Sequence, residues 1–271
     1  MPYGYTIADV FTDTPLTGNQ LAVFVDATGI DDGQMQLLSR EIGFSETVFV
    51  FPGDRIRVFT PGSELPFAGH PVLGTAFVLA SFRREREVTL VTGAGPVPVV
   101  FDERGRGTMR QPLPSVSPWS GDTGALFAAL GVAGSQLPVE VYVNGPRHAY
   151  VVLSSKAEVA ALRPDTGRLV DVVTGTVNCV AGAGMSWKSR VFPPHLGITE
   201  DAATGSAAGP LAVHLCRHRV VPWGTEITIT QGVEIQRPST LYARAAGSED
   251  RLESVEVAGD TVIVGRGTFD L

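Results

Sequence analysis

Most of this chain reads as short runs of alternating or β-branched apolar residues broken by glycine and proline, the pattern of strands and tight turns. In the first part the runs fall at residues 3–8, 20–26, 45–50, 55–60, 88–91 and 96–101. Two stretches depart from it. Residues 72–80 and 207–215 are apolar almost all round, and each predicts a helix that has to be buried. The first opens with Pro66-Phe67-Ala68-Gly69-His70-Pro71, and proline just inside a helix start is well placed because its missing N–H would lack an intrahelical partner anyway. The second opens with Asp201-Ala202-Ala203-Thr204-Gly205-Ser206. A buried helix start carries unpaired N–H groups and a partial positive charge. Two of them, each opened by glycine and a small polar residue, predict a two-sided cradle for an anionic small molecule.

The intervening chain fills in around these helices. Asp31 is a candidate N-cap for a helix ending at Gly43. The charged run 83–87 reads as the solvated end of the first buried helix, and 88–91 with 96–101 as a hairpin around Gly93-Ala94-Gly95. Pro112, Pro114 and Pro118 mark the best linker candidate. Beyond it, helices are predicted at 124–130 and 156–162, and strands at 139–144, 148–153, 167–172, 176–180 and 189–192. Runs at 227–231, 241–245, 254–257 and 261–265 supply closing strands. A weak internal repeat supports two similar halves. Arg57-Val58-Phe59-Thr60-Pro61 returns 133 residues later as Arg190-Val191-Phe192-Pro193-Pro194. Gly69-His70 then matches Gly205-Ser206 at 136, which leaves a three-residue insertion.

With 271 residues the chain is long for one core and comfortable for two domains. A net charge of −7 argues against nucleic acid, whose ligands cluster Lys and Arg. Two cysteines, Cys179 and Cys216, make neither a disulfide framework nor a metal-ligand spacing, so no metal is expected and a reducing, cytoplasmic setting is. Asp9 and Asp13 interrupt the early apolar residues, so no signal peptide is expected, and no apolar run approaches membrane-spanning length.

Strand alternation places Glu46 on the same face as Phe44, Val48 and Val50. A carboxylate on an apolar face is costly unless paired, or unless its pKa rises toward neutrality, which is what a general base for C–H chemistry needs. Each candidate also has a plain structural use. Glu46 could face solvent at a strand edge, His70 could sit in the core or cap a helix, Asp201 could N-cap an Asp-x-x-Thr turn, and Ser206 could simply be small. Their convergence on two glycine-bearing helix starts favours a site. The Asp-Thr-Gly triplets at Asp122 and Asp165 suit turns or helix caps, not an aspartic protease. Gly93-Ala94-Gly95 lacks the third glycine and following helix of a dinucleotide site.

Several motifs together resemble the phenazine-biosynthesis isomerase-like (PhzF-like) family. They are Asp9-Val10-Phe11, Gly18-Asn19-Gln20-Leu21-Ala22-Val23, Phe44-Ser45-Glu46-Thr47-Val48-Phe49, and the Arg57 segment with Glu64. Pro66-Phe67-Ala68-Gly69-His70-Pro71, Gly197-Ile198-Thr199-Glu200-Asp201-Ala202-Ala203-Thr204-Gly205-Ser206-Ala207, Gln231-Gly232 and Arg237-Pro238-Ser239 complete the set. The resemblance implies an α+β, diaminopimelate epimerase-like fold of two domains, each a barrel-like sheet round one buried helix. The domains would be 1–113 and 119–257, with 258–271 returning to the first and the site in the cleft between them. It also implies a cofactor-free, usually dimeric isomerase. Glu46 would shuttle a proton between carbons on one face of a small carboxylated, amino-bearing unsaturated substrate, relocating a double bond. His70 and Asp201 would assist catalysis, while Asn19, Gly69, Gly205 and Ser206 would bind substrate. A role in secondary metabolism such as antibiotic biosynthesis goes with the resemblance.

Two positions depart from the family pattern: Ala202 replaces a usual proline, and Gln236 a usual glycine before Arg-Pro-Ser. A two-thiol racemase is disfavoured, because neither cysteine lies at a cradle. The alternatives are a cofactor-independent epimerase or racemase, and a small-molecule binding relative without turnover.

Overall fold

The computed structural model describes residues 2–196 and 198–271, so Gly197 of the motif leading into the second cradle lies outside the described residues. The fold is α+β, with seventeen strands among the described residues joined edge to edge and wrapped round two central helices.

In the first half, strand Asn19–Phe24 pairs in parallel with Glu46–Phe51, which pairs antiparallel with Arg55–Phe59. Parallel neighbours need a crossover, and helix Asp32–Ile42 supplies it. Its capping box joins Asp31 and Gln34, and Gly43 ends it at φ +70°. The second half repeats the plan. Strand Arg147–Val152 pairs in parallel with Thr176–Ala183, which pairs antiparallel with Ser186–Phe192.

That crossover corrects one expectation: residues 167–172 are not a strand. Helices Lys156–Ala161 and Thr166–Val172 bridge the parallel pair, and Asp165 caps the second by accepting from the Arg168 N–H. The apolar residues there suit either element, and the cap together with the topology decides. Ser115–Pro118, within the proline-rich stretch, is a strand that pairs with Glu140–Val143.

Central helix Gly69–Arg83 buries side chains on every side, including Val72, Leu73, Ala76 and Val78. Its counterpart Gly205–Arg217 is buried from Gly205 through Cys216. The last strand, Thr261–Asp270, runs antiparallel to Pro2–Val10, and Leu252–Gly259 pairs with Gly107–Arg110, so sheet pairing crosses between early and late parts of the chain. No helix among the described residues is long and apolar enough to cross a membrane.

Candidate active site

The two central helices meet start to start. A side chain at Gly69 would collide with the backbone of Gly205 and Ser206. A Cβ at Gly205 would lie 2.8 Å from Phe11 Cζ and 3.1 Å from the His70 nitrogen, so both positions need glycine for close backbone approach. The caps distinguish these helices from the other α-helices described. Asp31, Asp122, Ser155 and Asp165 each accept a first-turn N–H of their own helix. At the central helices the cap residues are Ala68 and Thr204, and neither makes a side-chain cap bond. The positive ends of two buried helices are thus left without a side-chain acceptor.

They open onto a cavity of about 180 Å³ lined by Glu46, His70, Asp201, Gly69, Gly205 and Ser206, among others. A cavity of about 150 Å³ accommodates a benzene-sized ring, so this one has room for a six-membered ring with small substituents. Glu46 opens its strand, and Val48 and Val50 behind it belong to the main core. Burial pushes its carboxyl up to about 7, opposed by a hydrogen bond from Ser45. Glu46 Oε2 lies 3.6 Å from His70 Nε2, and neither atom has a hydrogen-bond partner among the described residues. Burial drives His70 down to about 4, with the Asp201 charge and a backbone bond to Gln20 acting the other way. At neutral pH the imidazole is therefore uncharged, and the contact is not an ion pair.

Asp201 is raised by burial and then by the Glu46 charge. It does not N-cap the helix. Its Oδ2 accepts from Thr204 Oγ1 at 2.6 Å and its Oδ1 from Asn19 Nδ2 at 2.8 Å. Gln231 fixes this turn by donating to Asp201 O at 2.9 Å and to Thr204 Oγ1 at 3.0 Å.

Asn19, expected to contact substrate, is not among the residues that line the cavity. It stands behind, its Nδ2 donating to Asp201 Oδ1 and Ala203 O and lying 3.3 Å from His70 Nδ1. It holds residues of both cradles in one arrangement.

The second helix start has a further support. Pro210 has no N–H for the Ser206 carbonyl four residues back. Asn144 Nδ2 donates to that carbonyl at 3.0 Å, and Gln111 Nε2 donates to Gly205 O at 2.8 Å. In both halves an arginine clamps the loop that leads to the cradle. Arg57 grips Glu64 through Nε and Nη2 at 2.7 and 2.6 Å, and Arg190 grips Glu200 in the same way at 3.0 and 2.6 Å. The pairs span seven and ten residues, so the three-residue insertion falls inside the second loop.

Sequence reasoning missed His148 and Thr176, which line the cavity from the second half. They face each other across a parallel pair, as Leu21 faces Glu46 in the first half, and only strand register reveals that equivalence. Elsewhere Glu140, His214 and His218 converge, their donor atoms all within 4.8 Å. The carboxylate there already accepts from Tyr142 at 2.8 Å and faces Arg217, a hydrogen-bonded network away from the cavity. Cys179 and Cys216 are buried and line none of the cavity, and burial pushes both thiols up.

With this geometry in view, the comparisons with known proteins are direct. A family profile described as phenazine biosynthesis-like protein matches residues 8–267. The chain is 49% identical over 273 residues to the trans-2,3-dihydro-3-hydroxyanthranilate isomerase of Pseudomonas aeruginosa, covering 97% of this chain and 98% of that one. Among solved structures, a Bacillus anthracis phenazine biosynthesis protein of the PhzF family superposes with a TM-score of 0.89 at 23% identity over the whole of both chains. A hydroxyproline epimerase from Agrobacterium vitis shares the fold at a TM-score of 0.63 and 12% identity, covering 98% of this chain and 92% of that one.

Proposed function

Because the chain belongs to the phenazine biosynthesis-like family and is an isomerase, we propose that it relocates a double bond in a ring of the dihydro-hydroxyanthranilate class, with Glu46 as sole proton carrier. The observation that carries this reading is the unpartnered, buried Glu46 Oε2 facing a cavity into which two uncapped helix starts open.

The substrate carboxylate binds the N–H groups at Gly69, Gly205 and Ser206. The Glu46 carboxylate takes a proton from a ring carbon: the C–H bond breaks, a Glu46 O–H forms, and the electron pair moves into the conjugated system toward the carboxylate. Helix N–H groups stabilise that charge as it grows, which is where binding accelerates the step. The protonated Glu46 then returns its proton to another carbon on the same face, and the double bond has moved with no net redox change. A carboxyl near 7 can do both jobs at neutral pH. Neutral His70 beside it adds no positive charge that would lower that value.

The test is turnover of trans-2,3-dihydro-3-hydroxyanthranilate in D2O. Wild type should incorporate deuterium at the receiving carbon, and its kcat/KM should fall on the acid side of about pH 7. Glu46→Gln should lose about 10³-fold or more in kcat. A variant within tenfold of wild type, or an acid limb near pH 4.5, would refute the assignment.

A further inference from the structure

We infer that His148 donates a hydrogen bond from Nε2–H to the hydroxyl of the substrate ring, and that Thr176 is the positioning residue that fixes the tautomer able to do so. The inference rests on the isomerase reading above. Both residues line the cavity, opposite each other in the parallel pair of the second half.

The tautomer follows from the bonds around them. Asn178 Nδ2 lies 3.1 Å from Ala149 O, and a carbonyl can only accept, so the amide nitrogen faces that way. The same nitrogen donates to Thr176 Oγ1 at 3.1 Å. The threonine hydroxyl is thus an acceptor from Asn178, and among the described residues its own hydrogen has one acceptor in reach, His148 Nδ1 at 2.8 Å. Nδ1 therefore carries the lone pair and Nε2 the hydrogen. Burial keeps the ring neutral, its pKa held down to about 3. His148 Nε2 is buried and has no partner among the described residues. A buried donor without an acceptor is unfavourable, and a ligand oxygen that accepts from it relieves the penalty.

The choice of ligand group is narrow. The helix starts take the carboxylate, and an ammonium can only donate, so the remaining acceptor on such a ring is the hydroxyl. A site built to bond a hydroxyl rejects the analogue that lacks it, because its own donor is then left unpaired. The second half of the cleft on this account reads the hydroxyl, while the first half moves the proton.

Titration calorimetry with 3-hydroxyanthranilate and anthranilate tests this. Both are flat rings with the same carboxylate and amine; they differ in the hydroxyl and cannot be isomerised. Wild type should prefer the hydroxylated ring by about tenfold or more. His148→Ala should bring the preference below about threefold, Thr176→Val should fall between, and His148→Gln, which keeps an N–H donor, should restore most of it. The preference compares two ligands on one protein, so partial unfolding of a variant cancels. Equal affinity of wild type for both rings, or an undiminished preference in His148→Ala, overturns the proposal and leaves the isomerase reading standing. Wild type that binds neither ring and labels no substrate in D2O overturns the isomerase reading, and this inference with it.

Discussion

In the first half of the molecule Glu46 sits opposite Leu21 at the head of a parallel strand pair; in the second half the same register position, opposite His148, is Thr176. Around these positions the halves match closely. The antiparallel strand that follows carries an arginine whose guanidinium lies 5.1 Å from the ring of the phenylalanine two residues on, Arg57 over Phe59 and Arg190 over Phe192. Each arginine then clamps a glutamate before an uncapped central helix. The repeated scaffold therefore builds two equivalent helix starts without imposing equivalent chemistry beside them. One half offers an acid, the other a hydroxyl tied to a neutral imidazole. On the proposed reading this suits a reaction in which one group lifts a proton and replaces it on the same face.

The clamps give the largest difference between the halves. Arg190 and Glu200 are buried, with side-chain exposures of 7% and 4%, whereas Glu64 and Asp32, the partners of Arg57, are 41% and 81% exposed. Removing one member of a buried pair strands the other's charge and typically costs about 3–5 kcal/mol, while an exposed pair is worth about 0–1 kcal/mol. Arg190→Met should therefore lower the urea midpoint far more than Arg57→Met. Comparable losses would mean that the two clamps are energetically alike despite their burial.

A smaller effect separates Glu46 from Thr176 by pH. The Glu46 carboxyl rises from an ordinary 4.5 to about 7 in the folded protein, so the folded state binds the proton more tightly. Its favourable contribution is fully present below pH 4.5 and is lost as pH rises through 7, a swing of about 3 kcal/mol. His70, lowered from 6.5 to about 4, acts with the opposite sign, its contribution being lost as pH falls through 4. Glu46→Gln removes the first term and, with the Glu46 charge gone, part of the rise at Asp201, which acts in the same direction. Its stability relative to wild type should climb between pH 4 and pH 8, by unfolding free energies measured at both. Thr176→Val has no titrating group to remove, and its difference from wild type should stay level. A flat Glu46→Gln difference would show that the carboxyl ionises as freely folded as unfolded.

Much of this was legible from residue patterns. An apolar stretch with glycine and proline at its head defines a buried helix by itself, and the first central helix ends at Arg83, where the charged run predicts. Glu46 was legible because alternation puts it with Val48 and Val50. Residues 167–172 were not, since a short apolar run fits strand or helix until the need for a crossover between parallel strands is known. Asn19 reaches residues 51 and 182 positions away, and no local pattern reports such contacts. His148 and Thr176 become a pair only through strand register.

The smallest effect lies at the seam between the halves. Arg237 reaches from the second half to Asp9 Oδ1 at 2.6 Å and to Gly18 O at 2.8 Å, holding the loop that precedes Asn19. Just before it, Gln236 adopts φ +60°, a left-handed conformation natural to glycine. A residue with a Cβ in that region costs about 1–2 kcal/mol, partly offset because glycine gives up more freedom on folding. Gln236→Gly should therefore stabilise by about 0.5–1 kcal/mol, seen as a higher urea midpoint at unchanged slope. Its kcat should match wild type, since the backbone already occupies the glycine-like conformation. A destabilised variant would mean that the Gln236 side chain contributes more to the seam than its backbone strain removes.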